Sequence, residues 1–315
     1  MFGDLVWLNE EKYFYGKFYQ KEKTPDGISP PAMRIHLRED GIDEPVFGRG
    51  LPTSHFISLR KSVQNSKALL TVAYGWTRSD IYSGRFDKPE AVVAEDKLVA
   101  TYLADAASVI KTYELNGRRR SELKLEPAGT VASLDSDGEK CIFTYESFLI
   151  PYRIYCFEKN ALKVLDSKEI QGDFMFEDAW VKSKDSTVIH MFTVGKKKKR
   201  KNCVLAWGYG GFAVSMTPAY FPFVIPFLED GGTLVWANLR GGLEHGENWH
   251  RDGMREKKQN VFDDFTAVLK YYKKQGSRIV SFGISNGGLL VGAILTQHPE
   301  LIDGALIGYP VLDMS

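Results

Sequence analysis

Two periodicities divide this chain and predict an all-β region over residues 1–178 followed by an α/β region over residues 179–315. Up to about residue 180, short runs of apolar–polar alternation recur between turn-forming residues, and no long stretch has helical spacing. Beyond Trp180, buried strands alternate with helices, which implies a mainly parallel sheet with helices on both faces. The third observation is local: Gly283-Ile284-Ser285-Asn286-Gly287 is a G-x-S-x-G pattern set between an apolar strand and a small-residue helix.

In the first region, Ala68 to Tyr74 follows the turn residues Gln64-Asn65-Ser66-Lys67, and Cys141 to Tyr145 follows Asp135-Ser136-Asp137-Gly138. Four short segments look alike: Arg34-Ile35-His36-Leu37, Asp80-Ile81-Tyr82, Ile110-Lys111-Thr112-Tyr113 and Arg153-Ile154-Tyr155-Cys156. Their isoleucines are spaced by 46, 29 and 44 residues. Two of these intervals fall near the ~40–50 residues of one blade, so a partial β-propeller of about four blades is expected, one of them short of strands. An irregular β-sandwich is the competing arrangement.

In the second region, Val188 to Val194 and Cys203 to Trp207 read as strands joined by the run Lys196 to Lys201, which is taken as a solvated hairpin tip. A helix is expected over Tyr220 to Leu228, ended by Gly231-Gly232, then a buried strand over Thr233 to Ala237. Phe262, Phe265, Val268, Leu269 and Tyr272 recur at helical spacing, placing a helix over Asp263 to Lys274 with Asn260 as cap and Gly276 as stop. Arg278 to Phe282 is a strand, Leu289 to Gln297 a helix, and Gly304 to Tyr309 another buried strand.

Composition sets wide bounds. The 315 residues are 43% hydrophobic and 26% charged with a net charge of +1, ordinary for a folded chain of two domains. Balanced charge gives no reason to expect nucleic acid or an anionic membrane as partner, and no apolar run approaches the ~18 residues of a membrane span. Cys141, Cys156 and Cys203 sit among strand-like residues, which suits buried thiols in a reducing, cytoplasmic setting.

The G-x-S-x-G pattern is the nucleophile elbow of α/β-hydrolases, in which glycines let a strand and a helix crowd together and lift the serine hydroxyl above the sheet. Around it lie five ordered blocks: Gly208 to Phe212, Ala237 to Gly242, Gly246 to His250, Lys258 to Phe265, and Ser285 to Gly288. Together they resemble the catalytic domain of the prolyl oligopeptidase family, densely from about Val181 to Ser315. Upstream, Tyr145 to Pro151 is similar to that family's last propeller blades. Trp249-His250 and Lys258 to Phe265 favour its prolyl branch.

The resemblance implies a partial β-propeller followed by an incomplete α/β-hydrolase domain, acting on short proline-containing peptides. By it, Ser285 is the nucleophile, the Asn286 backbone N–H and the Tyr209 phenol form the oxyanion hole, and Phe212 walls the proline pocket. Each oxyanion donor is commonly worth about 3–4 kcal/mol. Ile284 departs from the family, where glycine is usual, and is read as a packing change that leaves the turn intact. No cofactor is implied. Gly208 to Ala213 also fits a loose G-x-G-x-x-A nucleotide pattern, but Asn238 stands after the next strand where an acidic ribose ligand would be wanted. Glu244, His245, Glu247 and His250 are crowded, yet histidines five apart do not share a helix face as metal ligands do.

About 30 residues follow Ser285. The single histidine among them, His298, lies 13 positions along the elbow helix, roughly 20 Å away at ~1.5 Å per residue. It cannot act as the base, and Glu300, Asp303 and Asp313 are acids with no imidazole to orient. The expectation is a chain that lacks the triad Asp and His, shortened at both ends, with little turnover alone. Exposed sheet edges would favour self-association or a complementing chain. A non-catalytic peptide binder and a split enzyme completed by a second polypeptide are the alternatives.

Overall fold

The computed structural model describes residues 2–7, 13–39, 41–48, 51, 55–62, 67–74, 78–82, 91–94, 97–114, 118–198 and 200–312. The expected turn at Gln64-Asn65-Ser66, together with Lys199, Asp313 and Ser315, lies outside them.

Four antiparallel sheets follow one another like propeller blades. They are β1–β4 (Phe2–Trp7, Tyr13–Tyr19, Ala32–Glu39, Ile42–Phe47), β5–β7 (His55–Ser62, Lys67–Tyr74, Arg78–Tyr82), β8–β11 (Ala91–Ala94, Lys97–Ala104, Ala107–Glu114, Arg119–Lys124) and β12–β15 (Thr130–Ser136, Cys141–Ser147, Ile150–Glu158, Ala161–Lys168). The four look-alike segments all fall on the third strand of their sheet: β3, β7, β10 and β14. For β3, β10 and β14 that position has a physical cause, since the strand is paired on both edges and its apolar residues reach the core, whereas β7 ends its three-stranded sheet and pairs with β6 alone among the described residues. Ile35 and Ile110 are fully buried there. The β12–β13 turn is closed by Asp137, whose side chain accepts from the backbone N–H groups of Glu139 and Lys140, both at 3.0 Å.

The remaining strands form one six-stranded sheet: β16 (Phe174–Lys182), β17 (Val188–Lys196), β18 (Cys203–Gly208), β19 (Thr233–Asn238), β20 (Arg278–Ile284) and β21 (Gly304–Gly308). Their order is β16-β17-β19-β18-β20-β21; β16, β17 and β19 pair antiparallel, and the rest pair parallel. Because β19 stands between β17 and β18, the Lys196–Lys201 run is a crossover and not a hairpin tip. Within it Lys197, Lys198, Arg200 and Lys201 are solvent-exposed, with Lys201 paired to Asp230 at 2.5 Å.

Strand alternation sends two sets of side chains to opposite faces. On one face, Met191, Val204, Ala206, Val235, Ala237 and Ile279 pack against α3 (Gln259–Lys273) and α4 (Asn286–Gln297) through Phe265, Leu269, Leu290 and Ile294. Burying a side chain such as Phe265 is worth about 1.5–3 kcal/mol. On the other face, Phe192, Trp207, Leu234 and Trp236 meet the short helix α1 (Ile225–Glu229) and Phe148 from the β13–β14 turn. Phe148 stands edge-on to Phe176, Phe192 and Trp236 at 5.1, 5.8 and 5.6 Å between ring centres, so the last blade and the large sheet share one aromatic cluster.

Three helix boundaries differ from expectation. The Tyr220–Leu228 segment is a 3-10 turn at Pro222–Val224 followed by α1, because Pro222 and Pro226 each remove a backbone donor. Helix α3 begins at Gln259 after a 3-10 turn at Arg255–Lys257, and Lys258 takes the cap position. Asn260 lies within the first turn, and its side-chain N–H donates to the Asp252 carbonyl at 2.9 Å. Gly276 does end this helix, at φ +77°. Helix α4 starts at Asn286, three residues before the expected Leu289, because the elbow turn runs straight into it.

Candidate active site

Strand β20 lies between β18 and β21, and Ser285 follows its last residue directly. Ser285 has φ +57° and ψ −117°, a conformation that L-residues rarely adopt, and Asn286 opens α4 immediately after it. The reversal is this tight because two glycines face one another across it. A Cβ on Gly283 would overlap the Gly287 carbonyl, and one on Gly287 would stand 2.7 Å from the Gly208 carbonyl oxygen. The Ser285 N–H donates to the Gly308 carbonyl at 2.8 Å, stitching the turn to β21. Ser285 is half-buried, and its hydroxyl makes no hydrogen bond among the described residues. Ile284 is 40% exposed, and its Cγ1 lies 3.1 Å from where a Cβ on Gly308 would stand.

The loop after β18 comes to meet the elbow. Tyr209 is half-buried, and its ring edge would lie 3.6 Å from a Cβ on Gly287. Gly210, Phe212 and Ala213 all have positive φ, which coils the loop over the start of α4. The Asn286 side chain, 1% exposed, is gripped by this loop: its Nδ2 donates to the Tyr209 carbonyl at 2.6 Å. Its Oδ1 accepts from Lys258 Nζ at 2.9 Å, and the same ammonium donates to the Gly210 carbonyl at 2.8 Å. Burial pushes the Lys258 amine down to about 8. Sequence reasoning placed Lys258 only at the start of the Lys258–Phe265 block that resembles the family, with no contact assigned to it. Phe212 sits on the same loop but is 58% exposed, presenting its ring to solvent.

The same loop continues to the last blade. Thr130 Oγ1 donates to the Pro218 carbonyl at 2.7 Å, and the Tyr220 N–H donates to Glu146 at 3.1 Å. Behind it runs a buried polar chain. Met216 N donates to Glu244 Oε1 at 2.7 Å, while its carbonyl accepts from Trp236 Nε1 and Asn238 Nδ2. Asn238 is also bonded to His190, which reaches Asp178, so this position serves the sheet end and not a ribose. The end of β19 is fixed by Arg240, which bonds Asp264 on α3 and Asp185.

The crowded Glu244–His250 segment disperses into separate tasks. Glu244 turns inward, Glu247 pairs with Arg251 at 2.6 Å, and His250 Nδ1 lies 2.7 Å from the Gly241 carbonyl. Among the described residues no cluster of metal-ligating side chains forms. His298 pairs with Glu300 at 3.4 Å beyond the end of α4, and Asp303 accepts from Lys273 and the Ile279 N–H. The structure thus brings Ser285, Asn286 and Tyr209 together and engages His298 and Asp303 elsewhere.

Residues 218–315 match the sequence model of the Prolyl oligopeptidase family. A prolyl endopeptidase of Elizabethkingia miricola is 34% identical over 229 residues, which are 68% of this chain and 32% of that protein. One of Elizabethkingia meningoseptica is 31% identical over 272 residues, 81% of this chain and 37% of its own. The chain belongs to the prolyl oligopeptidase family. It spans about a third of the length of these curated relatives. The fold agrees with solved prolyl oligopeptidase structures: prolyl oligopeptidase B of Galerina marginata superposes with TM-score 0.75 at 20% identity, over 99% of this chain and 56% of that one. A post-proline cleaving enzyme of Rickettsia typhi gives 0.71 at 20% identity, over 99% and 59%. In a member of this serine peptidase family, the elbow built around Ser285 stands where the blades and the hydrolase sheet meet through the 209–221 loop.

Proposed function

We propose that this chain carries the nucleophile and oxyanion hole of a serine-type oligopeptidase that hydrolyses short proline-containing peptides. The observation that carries the reading is the strained Ser285 at the carboxyl end of β20, with Asn286 opening a helix and the Tyr209 loop laid against it. As the first residue of α4, Asn286 has a backbone N–H with no intrahelical acceptor. That donor and the Tyr209 phenol would receive the oxygen of a tetrahedral adduct while Ser285 Oγ attacks the carbonyl carbon. The acid and base that activate Ser285 would come from residues outside those described, since His298 and Asp303 are held elsewhere. Phe212 would close on a proline ring from the solvent side.

A second reading, an enzyme completed by another polypeptide, is favoured by one feature. Beside the elbow, Phe223, Phe227, Phe282, Leu306 and Ile307 line an open apolar hollow of 620 Å³. A surface of this kind ordinarily marks a place where other polypeptide packs.

Labelling with a biotinylated fluorophosphonate tests the first reading. Covalent modification at Ser285 is expected, slow in the chain alone for want of the acid and base and lost in Ser285→Ala, and Tyr209→Phe should slow it further by about 10²–10³-fold. Modification of Ser285→Ala at the wild-type rate would overturn it. Labelling only after a second chain is added would favour the split enzyme.

A further inference from the structure

We propose that Lys258 is the positioning residue of the oxyanion site, acting through the side chain of Asn286. This rests on the assignment of Ser285 and Asn286 above. The two donors of the site come from different elements: the Asn286 N–H from α4, and the phenol from the loop carrying Tyr209. Nothing in the covalent chain fixes one against the other, because 77 residues separate them. The Asn286 amide makes the link, donating to the Tyr209 carbonyl at 2.6 Å and accepting from Lys258 at 2.9 Å. An amide has one acceptor oxygen and one donor nitrogen, so a cation on the oxygen side and a carbonyl on the nitrogen side allow a single orientation. Lys258 then closes the ring by donating to the Gly210 carbonyl at 2.8 Å.

The packing leaves no alternative arrangement. A Cβ on Gly211 would stand 2.5 Å from Asn286 Nδ2, so the loop backbone lies flat on the amide. The Lys258 side chain is half-buried, and the partners of its ammonium are these two oxygens, with no carboxylate among the described residues. A lysine kept for stability alone would ordinarily be given an acidic partner or left in water, because desolvating an unpaired charge is costly. Here the positive charge is directed at the amide of the residue whose N–H would face a developing oxyanion. It polarises that residue and adds positive potential on the side where negative charge forms.

The test measures phosphonylation of Ser285 by a fluorophosphonate in the full chain, resolved into KI and kinact, for the wild type, Lys258→Met, Lys258→Arg and Asn286→Asp. Lys258→Met should lower kinact by about 10²-fold, the size expected of a 1 Å misplacement at a reacting centre, and leave KI unchanged. Lys258→Arg keeps the charge and the donors and should restore most of the rate. Asn286→Asp keeps the lysine contact but loses the donor to Tyr209, so it should also slow kinact even where Lys258→Met folds poorly. Deuterium exchange supplies a readout independent of reactivity: residues 209–212 and 286–289 should exchange faster in Lys258→Met and not in Lys258→Arg. Wild-type kinact in Lys258→Met, or unchanged exchange in both segments, would overturn the proposal. A wild-type Ser285 that does not react counts against the functional reading, and the exchange measurement then decides the clamp by itself.

Discussion

Arg240 and Asp264 form a buried ion pair that ties the end of β19 to α3, with Arg240 Nη2 and Nε donating to the two carboxylate oxygens at 2.6 and 2.9 Å. Asp264 is fully buried and also accepts from Ser183 Oγ at 2.5 Å and from the Arg240 N–H at 3.2 Å. Replacing it would leave the guanidinium with Asp185 as its one carboxylate partner among the described residues, beside a long contact to Ser183 Oγ at 3.4 Å. Asp264→Ala is expected to destabilise the protein by about 3–5 kcal/mol, read from the urea unfolding midpoint. A loss below about 1 kcal/mol would show that the pair matters little.

Gly283 cannot carry a side chain, because the clashing atom belongs to the backbone of Gly287 and no rotamer change relieves it. Gly283→Ala should cost at least about 1–3 kcal/mol and abolish fluorophosphonate labelling by displacing Ser285. Wild-type labelling in this variant would mean that the elbow is less tight than described.

The positive φ of Ser285 stores strain that glycine would release. Ser285→Gly is therefore expected to raise stability by about 1 kcal/mol while removing the nucleophile, whereas Ser285→Ala removes it without that gain. Thermal melting of the two variants side by side decides the matter, and equal midpoints would contradict the strain argument.

Glu244 gives a pH signature. Burial pushes its carboxyl up to about 7 from an ordinary value near 4.5, and its Oε2 has no hydrogen-bond partner among the described residues. A carboxyl raised on folding favours the native state in its protonated form, so this contribution is fully present below about 4.5 and is lost as pH rises through about 7. The loss is on the order of 3 kcal/mol if the shift is complete. Glu244→Gln should remove the dependence, making the variant more stable relative to wild type at pH 8 than at pH 5. A difference between the two proteins that does not change with pH would exclude the mechanism.

What could be read from the residues alone followed from the range of the forces involved. Strands such as Thr233–Asn238 and the elbow around Ser285 are specified locally, by apolar runs and by glycines at fixed offsets, and these were legible. Strand neighbourhood was not: the insertion of β19 between β17 and β18 depends on contacts distant in sequence, so the lysine run looked like a hairpin. Helix starts at Gln259 and Asn286 were also missed, because each is led in by a turn and not by a capping side chain. Nothing near Lys258 announces its contact with Asn286, 28 residues further on.

The connection from Tyr209 to Phe221 is fastened at both ends, to the Asn286 amide on one side and to Thr130 and Glu146 of the last blade on the other. It works as a tether of fixed span. Tilting that blade against the large sheet would tug on the same backbone that presents the phenol, so the reach of Tyr209 toward a reacting carbonyl is set partly by propeller strands fastened further along the connection, at Pro218 and Tyr220.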